Sequence, residues 1–371
     1  MNFRIRSFLR HAWVYALYYS GCLAWAKRQV IASGGIIGLT FHRVLTDEES
    51  RISHSPAGMV VGIETFSALV DYVARKCIAV DLQDLGASAK EKNEKPRVAI
   101  TFDDGWLDNA VQAVPILRRA NLPCAIFLCS ATMGKTLPFW PERVTLDRKA
   151  AEDSGRLAEF AEIVIGALKT PLTQMELQSS PALVERMKPL PREQREGLLK
   201  ELDAIANLTD LQAGSNCDAT MSWEAARQLA GAGVRFGSHT VHHEILTRVP
   251  EAEARQEILE SAGAIEDKLG QPCKLFAYPN GDWSPEVRNW VANAGYEFAF
   301  ANKPGVWTQE TNRWSVPRCN IWEGAVVSAS GKFSSVHFDY IVFWKSVRAS
   351  GNTRKALLSE GQAIQTPKTH Q

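Results

Sequence analysis

Two short segments of this 371-residue chain carry groups that can do chemistry together. Thr101-Phe102-Asp103-Asp104-Gly105 ends an apolar run, Val98-Ala99-Ile100, and puts two neighbouring carboxylates where a strand gives way to a loop. Gly237-Ser238-His239-Thr240-Val241-His242-His243 offers two imidazoles at i, i+4 after a second apolar run. Such a set can supply ligands for a divalent ion plus a separate carboxylate base, the minimum for metal-assisted hydrolysis. The pair differs from the helical zinc motif in which Glu follows the first His, since Thr240 stands there. His242 reads as a neighbour of the ligands rather than one of them. Imidazole nitrogens suit Zn²⁺, with Co²⁺ or Ni²⁺ as substitutes. By itself Asp-Asp-Gly is an ordinary solvated turn. The strand before it and the distant histidines give it weight.

Positioning these groups requires alternating strands and helices. Buried strands are expected at 36–41, 98–102, 125–129, 234–237, 274–278, 297–301 and 316–321, and helices at 63–76, 110–120, 222–232, 250–269 and 284–294. That rhythm gives an α/β fold with a parallel sheet or barrel. In barrels the active site gathers at the C-terminal edge of the strands, which is where Asp103 and Asp104 fall. Residues 139–216 break the rhythm. They are rich in Glu, Leu, Ala, Lys and Arg, and read as a helical insertion. The chain then divides into an N-terminal apolar or amphipathic helix (1–35), the catalytic unit (36–325) and a C-terminal extension (326–371) with a loose polar tail from Gly351.

Apolar residues make up 45% of the chain and charged residues 22%, with a formal net charge of +1, so no basic field points to nucleic acid. The seven cysteines are odd in number and lack CxxC spacing, which suggests reduced thiols in a reducing, cytoplasmic setting. Arg4, Arg6 and Arg10 precede an apolar stretch from Ala12 to Ala26, with Lys27 and Arg28 after it. Its Trp13, Tyr15, Tyr18, Tyr19 and Trp25 suit a packing surface or the inner membrane face, and a signal peptide or an anchor are the other readings.

The order TFDDG, then HTVHH, then Phe276-Ala277-Tyr278-Pro279-Asn280-Gly281 resembles the polysaccharide deacetylase family, carbohydrate esterase family 4. Residues 38 to about 322 follow its layout. The resemblance implies a distorted (β/α) barrel of the polysaccharide deacetylase type that removes acetyl groups from sugars. It implies Asp103 as general base and Asp104, His239 and His243 as metal ligands. Two features depart from the common pattern: Ala277 stands where many members carry Arg, and no His lies between His243 and His337. The chain is more similar to the exopolysaccharide-linked branch, which implies His42 as the acid, with Arg318 replacing the absent Arg beside Asp103. Tyr278, Pro279 and Asn280 are then expected to face substrate, and Trp106, Trp140 and Trp283 offer flat apolar faces for sugar rings. The implied partner is an N-acetylated carbohydrate or a lipid-linked saccharide. Other readings are a catalytically silent sugar-binding barrel and a C–N hydrolase acting on a small amide.

Overall fold

A computed structural model describes residues 3–86, 94–136, 139–206 and 216–351. Its frame is a parallel sheet that curls nearly closed. The strands are β1 (Ile36–Phe41), β2 (Arg43–Leu45), β3 (Val60–Gly62), β4 (Ile78–Ala79), β5 (Arg97–Phe102), β6 (Cys124–Leu128), β7 (Arg235–Ser238), β8 (Leu275–Ala277), β9 (Phe298–Phe300) and β10 (Arg318–Asn320). The main sheet runs β10-β1-β5-β6-β7-β8-β9, with β4 beside the start of β5. A parallel bridge between Phe300 and Val316 brings the last strand back to β9 and closes the ring. The β2–β3 pair, which no periodicity signals, lies apart as a small parallel ladder.

Alternation along the strands divides two apolar cores. Ala99, Ala125, Phe127, Ala277, Phe298 and Phe300 fill the barrel interior. Ile37, Leu39, Val98, Ile100 and Ile126 face outward, against the helices. The period of two that separates these sets also sends Thr101 and Asp103 inward. The helices outside the ring, Ile63–Lys76, Trp223–Gly231, Glu251–Leu269 and Pro285–Asn293, begin and end within a residue or two of their expected bounds. The segment expected as one helix at 110–120 opens instead with a π-helical turn, Asn109–Ala113, and continues as Val114–Arg119.

Between β6 and β7, five helices (Trp140–Asp153, Leu157–Leu168, Gln174–Leu177, Ser180–Met187 and Arg192–Ala206) build a separate core. Val144, Phe160, Leu183, Met187 and Leu202 lie at its centre. The returning chain runs antiparallel across the first motif: Trp106 bridges Thr220, and the Met221 N–H donates to the Gly105 carbonyl at 2.9 Å.

The N-terminal segment is two helices rather than one, α1 (Phe3–Tyr19) and α2 (Cys22–Ser33), broken at Gly21, whose φ is 77°. Val14, Leu17, Leu23, Ala26 and Val30 are buried. The Lys27 ammonium donates to Tyr72 and to Asp339, tying α2 to the C-terminal helices. That C-terminal region, which reads as weakly patterned, is helical over Ser335–Asp339 and continues through a π-helical turn, Tyr340–Trp344. Among the described residues no helix is long and apolar enough to cross a membrane. The polar tail beyond Gly351 lies outside the described residues.

Candidate functional site

β5 ends at Phe102, and the next two residues diverge. Asp103 keeps the inward direction of Thr101, and its N–H donates to the Phe41 carbonyl at 3.0 Å. Asp104 turns into the left-handed region, with φ 73°, followed by Gly105 at φ 77°. A side chain at position 105 would meet the Leu128 Cδ2 at 2.8 Å, so glycine is needed there for space as well as for φ. The turn aims both carboxylates at the mouth of the barrel, although neighbouring strand residues would point apart.

Asp103 is held by Arg318. The guanidinium donates to Oδ1 at 2.7 Å and Oδ2 at 2.8 Å, with further bonds to Thr101 Oγ1 at 3.1 Å and the Ala301 carbonyl at 3.1 Å. Arg318 is fully buried inside the barrel, between the rings of Phe127 and Phe300. Gly38, its register partner on β1, leaves the space: a Cβ there would lie 2.6 Å from the Arg318 Cγ. Burial alone would push the Asp103 carboxyl up. The positive charge of Arg318, with His239 and His42 nearby, overcomes it and brings the value down to about 2. Asp103 is therefore an oriented carboxylate at any ordinary pH.

Asp104 has the opposite surroundings. Its Oδ2 accepts the Trp106 indole N–H at 3.0 Å, while its buried Oδ1 finds no hydrogen-bond partner among the described residues. That oxygen lies 3.6 Å from His239 Nε2 and 3.5 Å from His243 Nε2. Ligand atoms about 2.1 Å from one ion lie no more than about 4.2 Å apart, a limit both Asp104 distances meet; all three ligand atoms lie within 4.8 Å of one another, close enough to converge on a divalent ion. The tautomer fits as well. His239 Nδ1 lies 2.7 Å from the Ala277 carbonyl, which can only accept, so the proton sits on Nδ1 and Nε2 keeps a lone pair. Burial pushes His243 down to about 4, keeping it neutral as a ligand must be. A buried carboxylate oxygen with no hydrogen-bond partner among the described residues, facing two imidazole nitrogens, is a poor arrangement without a cation.

His243 reaches this place because the loop after β7 coils tightly, with φ of 70° at Thr240 and 62° at His243. Glu257 fastens the coil by accepting the N–H groups of Val241 and His242, and it also holds the His242 ring, with Nδ1 2.6 Å from Oε1. His242 is thus turned away from the three candidate ligand atoms.

His42 lies in the short gap between β1 and β2. Its carbonyl accepts from Asn109, and its buried Nδ1 has no hydrogen-bond partner among the described residues. It is near enough for its charge to act on both Asp103 and His243. The residues expected to face substrate divide. Asn280 is exposed, at φ 59°, and accepts from the Lys188 ammonium at 3.2 Å. Pro279 is buried in the turn. Tyr278 is fully buried, and its hydroxyl donates to the Trp314 carbonyl at 2.8 Å, so it packs the core instead of facing a sugar. Trp106 is also fully buried. Its ring lies against Phe139 and under the Arg43 guanidinium, and its N–H orients Asp104, so no face is left for a pyranose.

Arg43 is the residue that sequence patterning misses. It is fully buried and spans Asp108 (2.7 Å) and Asp218 (2.9 Å) while stacking 4.0 Å over Trp106. Asp218 stands at the end of the insertion, so this fork fastens the returning chain to the turn that carries Asp104. An arginine directly after a strand-end His was the available signal, but Trp106, Asp108 and Asp218 are 63 to 175 residues away.

Residues 90–188 and 198–299 match the family model for polysaccharide deacetylases. The curated relative YxkH of Bacillus subtilis (strain 168) is 22% identical over 110 residues, 30% of this chain and 39% of that one; the chain thus matches about two fifths of that relative's length. The solved polysaccharide deacetylase BC0361 from Bacillus cereus is 13% identical, with a TM-score of 0.50 over 80% of this chain and 67% of that one. The deacetylase PplD from Streptococcus pyogenes is 15% identical, with a TM-score of 0.49 over 78% of this chain and 92% of that one. IcaB from Ammonifex degensii is 15% identical, with a TM-score of 0.49 over 77% and 91%. The family model covers more than half of the sequence, including both motifs and the barrel strands that carry them, and on that ground this chain belongs to the polysaccharide deacetylase family.

Proposed function

We propose that the protein is a metal-dependent hydrolase that removes acetyl groups from N-acetylated sugars of a cell-surface polysaccharide or its lipid-linked precursor. The observation that carries this is the Asp104 Oδ1, His239 and His243 cluster lying beside a carboxylate that Arg318 keeps ionised. Asp104, His239 and His243 would hold a divalent ion such as Zn²⁺, which would supply Lewis acidity toward water and toward the acetyl carbonyl. Asp103 accepts the proton of the attacking water, and its low basicity is offset by its fixed placement. As the amide C–N bond breaks, His42 delivers a proton to the sugar nitrogen, and acetate and the free amine leave. Arg318 keeps Asp103 from turning toward the ion, which preserves a base separate from the ligands.

The test compares metal content and acetate release from N-acetylglucosamine oligomers for wild type, Asp103→Asn and His239→Ala. The reading expects a metal-poor, inactive His239→Ala and a metal-loaded, inactive Asp103→Asn. A wild type that takes up no metal after reconstitution would sink it.

We also place the protein on the inner membrane face. Phe8, Leu9, Trp13 and Tyr19 project from α1 into solvent, with the half-buried Arg10 on the same helix donating to the Gly324 carbonyl. Exposed aromatics beside basic residues suit the headgroup layer. Flotation with anionic vesicles is expected to carry the wild type, and Phe8→Ser/Trp13→Ser is expected to stay behind.

A further inference from the structure

A cleft of about 230 Å³ opens beside His243. One wall is the insertion, with Trp140, Lys188 and Arg192. The other is barrel, with Arg248 from the loop after β7 and Asn280 from the loop after β8. The acidic side chains that line it are Glu244 and Glu253. Glu244 is spent on Arg195 in a buried pair at the cleft floor. Glu253 is exposed.

The remaining cations are Lys188, Arg192 and Arg248. Lys188 pairs with Glu185, whose side chain is 66% exposed. Arg192 pairs through Nε with Glu196, 53% exposed, at 2.8 Å, and its Nη1 lies 2.9 Å from His242 Nδ1 and 3.9 Å from Glu257. Arg248 reaches Asp282 only at 3.9 Å. Pairs with exposed partners contribute about 0–1 kcal/mol, so Lys188 and Arg248 can turn to a better anion at little cost, while Arg192 is fixed at the rim by His242. The Lys188 ammonium already leans across the cleft to the Asn280 amide oxygen at 3.2 Å. A guanidinium fork is suited to phosphate or carboxylate oxygens. A neutral glycan would leave three basic groups beside the reaction centre without a role.

We propose that this cleft is an anion subsite, which binds a phosphate or carboxylate group of the acetylated glycan next to the scissile acetyl, through Lys188, Arg192 and Arg248. The insertion then acts as a specificity wall, since two of the three cations belong to it. The inference rests on the deacetylase reading for its position in the reaction, but binding of the anion is separable from turnover.

The first experiment titrates the metal-loaded protein with N-acetylglucosamine 1-phosphate, with glucuronic acid and with N-acetylglucosamine, and repeats this for Lys188→Gln/Arg192→Gln/Arg248→Gln. Binding of one of the two anions at least about tenfold tighter than the neutral sugar, lost in the variant, supports the subsite, and the anion preferred identifies phosphate or carboxylate as its source. Equal affinity for all three ligands overturns it whether or not acetate is ever released. The second experiment compares kcat/KM on N-acetylated oligomers with and without the preferred anion. The ratio of the two is expected to fall toward one in the variant, through KM. A variant that loses activity equally on both substrates overturns the subsite while leaving the deacetylase reading intact. Thermal melts of the single substitutions separate lost binding from lost folding.

Discussion

Asp103, at the mouth of the barrel, and Asp147, in the first helix of the insertion, are both shut away from water. Asp103 accepts two bonds from a buried guanidinium and sits at about 2. Neither oxygen of Asp147 has a hydrogen-bond partner among the described residues. Burial and the nearby charge of Asp203 push it up to about 7, against the pull of Arg143. Arg143 itself is engaged with Asp203. In the barrel, burial of charge is compensated by an arginine seated in space that Gly38 leaves open. In the insertion, the same burial is met by holding the proton. The first arrangement is what a base needs, because the group stays ionised and fixed. The second makes the insertion sensitive to pH. Glu142, on the same helix, follows the second pattern: burial and the charge of Asp104 push it up to about 8, although Arg43 opposes this.

The contrast can be broken most severely at Asp103 itself. Asp103→Asn is expected to cost on the order of 10²–10⁴ in acetate release while metal content stays at the wild-type level. Arg318→Met comes next. It leaves a buried carboxylate without its cation, and unfolding by denaturant should show a loss of roughly 3–5 kcal/mol near neutral pH. The sign follows from linkage. In the wild type the native value of Asp103 lies below its unfolded value, so its stabilisation is present above about 4 and disappears as pH falls toward 2. Arg318→Met removes that contribution and should move the acidic limb of the pH–rate profile upward.

Trp106→Phe tests the support of Asp104 with a smaller effect. It keeps the ring packed under Arg43 and removes only the N–H. Metal affinity should fall by about 10- to 100-fold with little change in melting temperature. An unchanged affinity would mean that the turn alone orients Asp104.

Asp147→Asn should have the smallest effect and act in the opposite direction. The native value of Asp147 lies above its unfolded value, so its contribution is fully present below about 4 and is lost as pH rises to about 7. The amide cannot ionise, so the variant should match wild type near pH 4 and be more stable by roughly 1–3 kcal/mol above pH 7. Hydrogen exchange in the insertion is the direct readout. An identical pH dependence in both proteins would show that Asp147 finds a partner in solution.

The strands and most outer helices were legible because burial imposes a period. Ile36–Phe41 and Ile63–Lys76 match their expected bounds for that reason. The carboxylate pair and the i, i+4 imidazoles were legible because few residue types can serve as metal ligands or bases, and they stood at strand ends. The Gly21 break in the N-terminal helix and the β2–β3 ladder were not, since a short apolar run fits several local structures. Substrate-facing aromatics were misread at Tyr278 and Trp106, because an aromatic near a motif looks the same in sequence whether it faces a sugar or the core.

By itself the sequence determined the alternation of elements, the helical character of the insertion and the kinds of groups at the strand ends. These follow from local periodicity and from the chemistry of single side chains. The family resemblance placed Arg318 beside Asp103, but only the tertiary structure shows its two-oxygen grip, and it alone decided that Arg43 reaches Asp108 and Asp218 and that Glu257 holds His242 away from the candidate ligand atoms. Each of these pairings closes a loop of 15 to 215 residues. No local pattern encodes such a contact. It exists because the closed ring of strands brings distant strand ends to one rim, where a buried charge must find its partner or give up its ionisation.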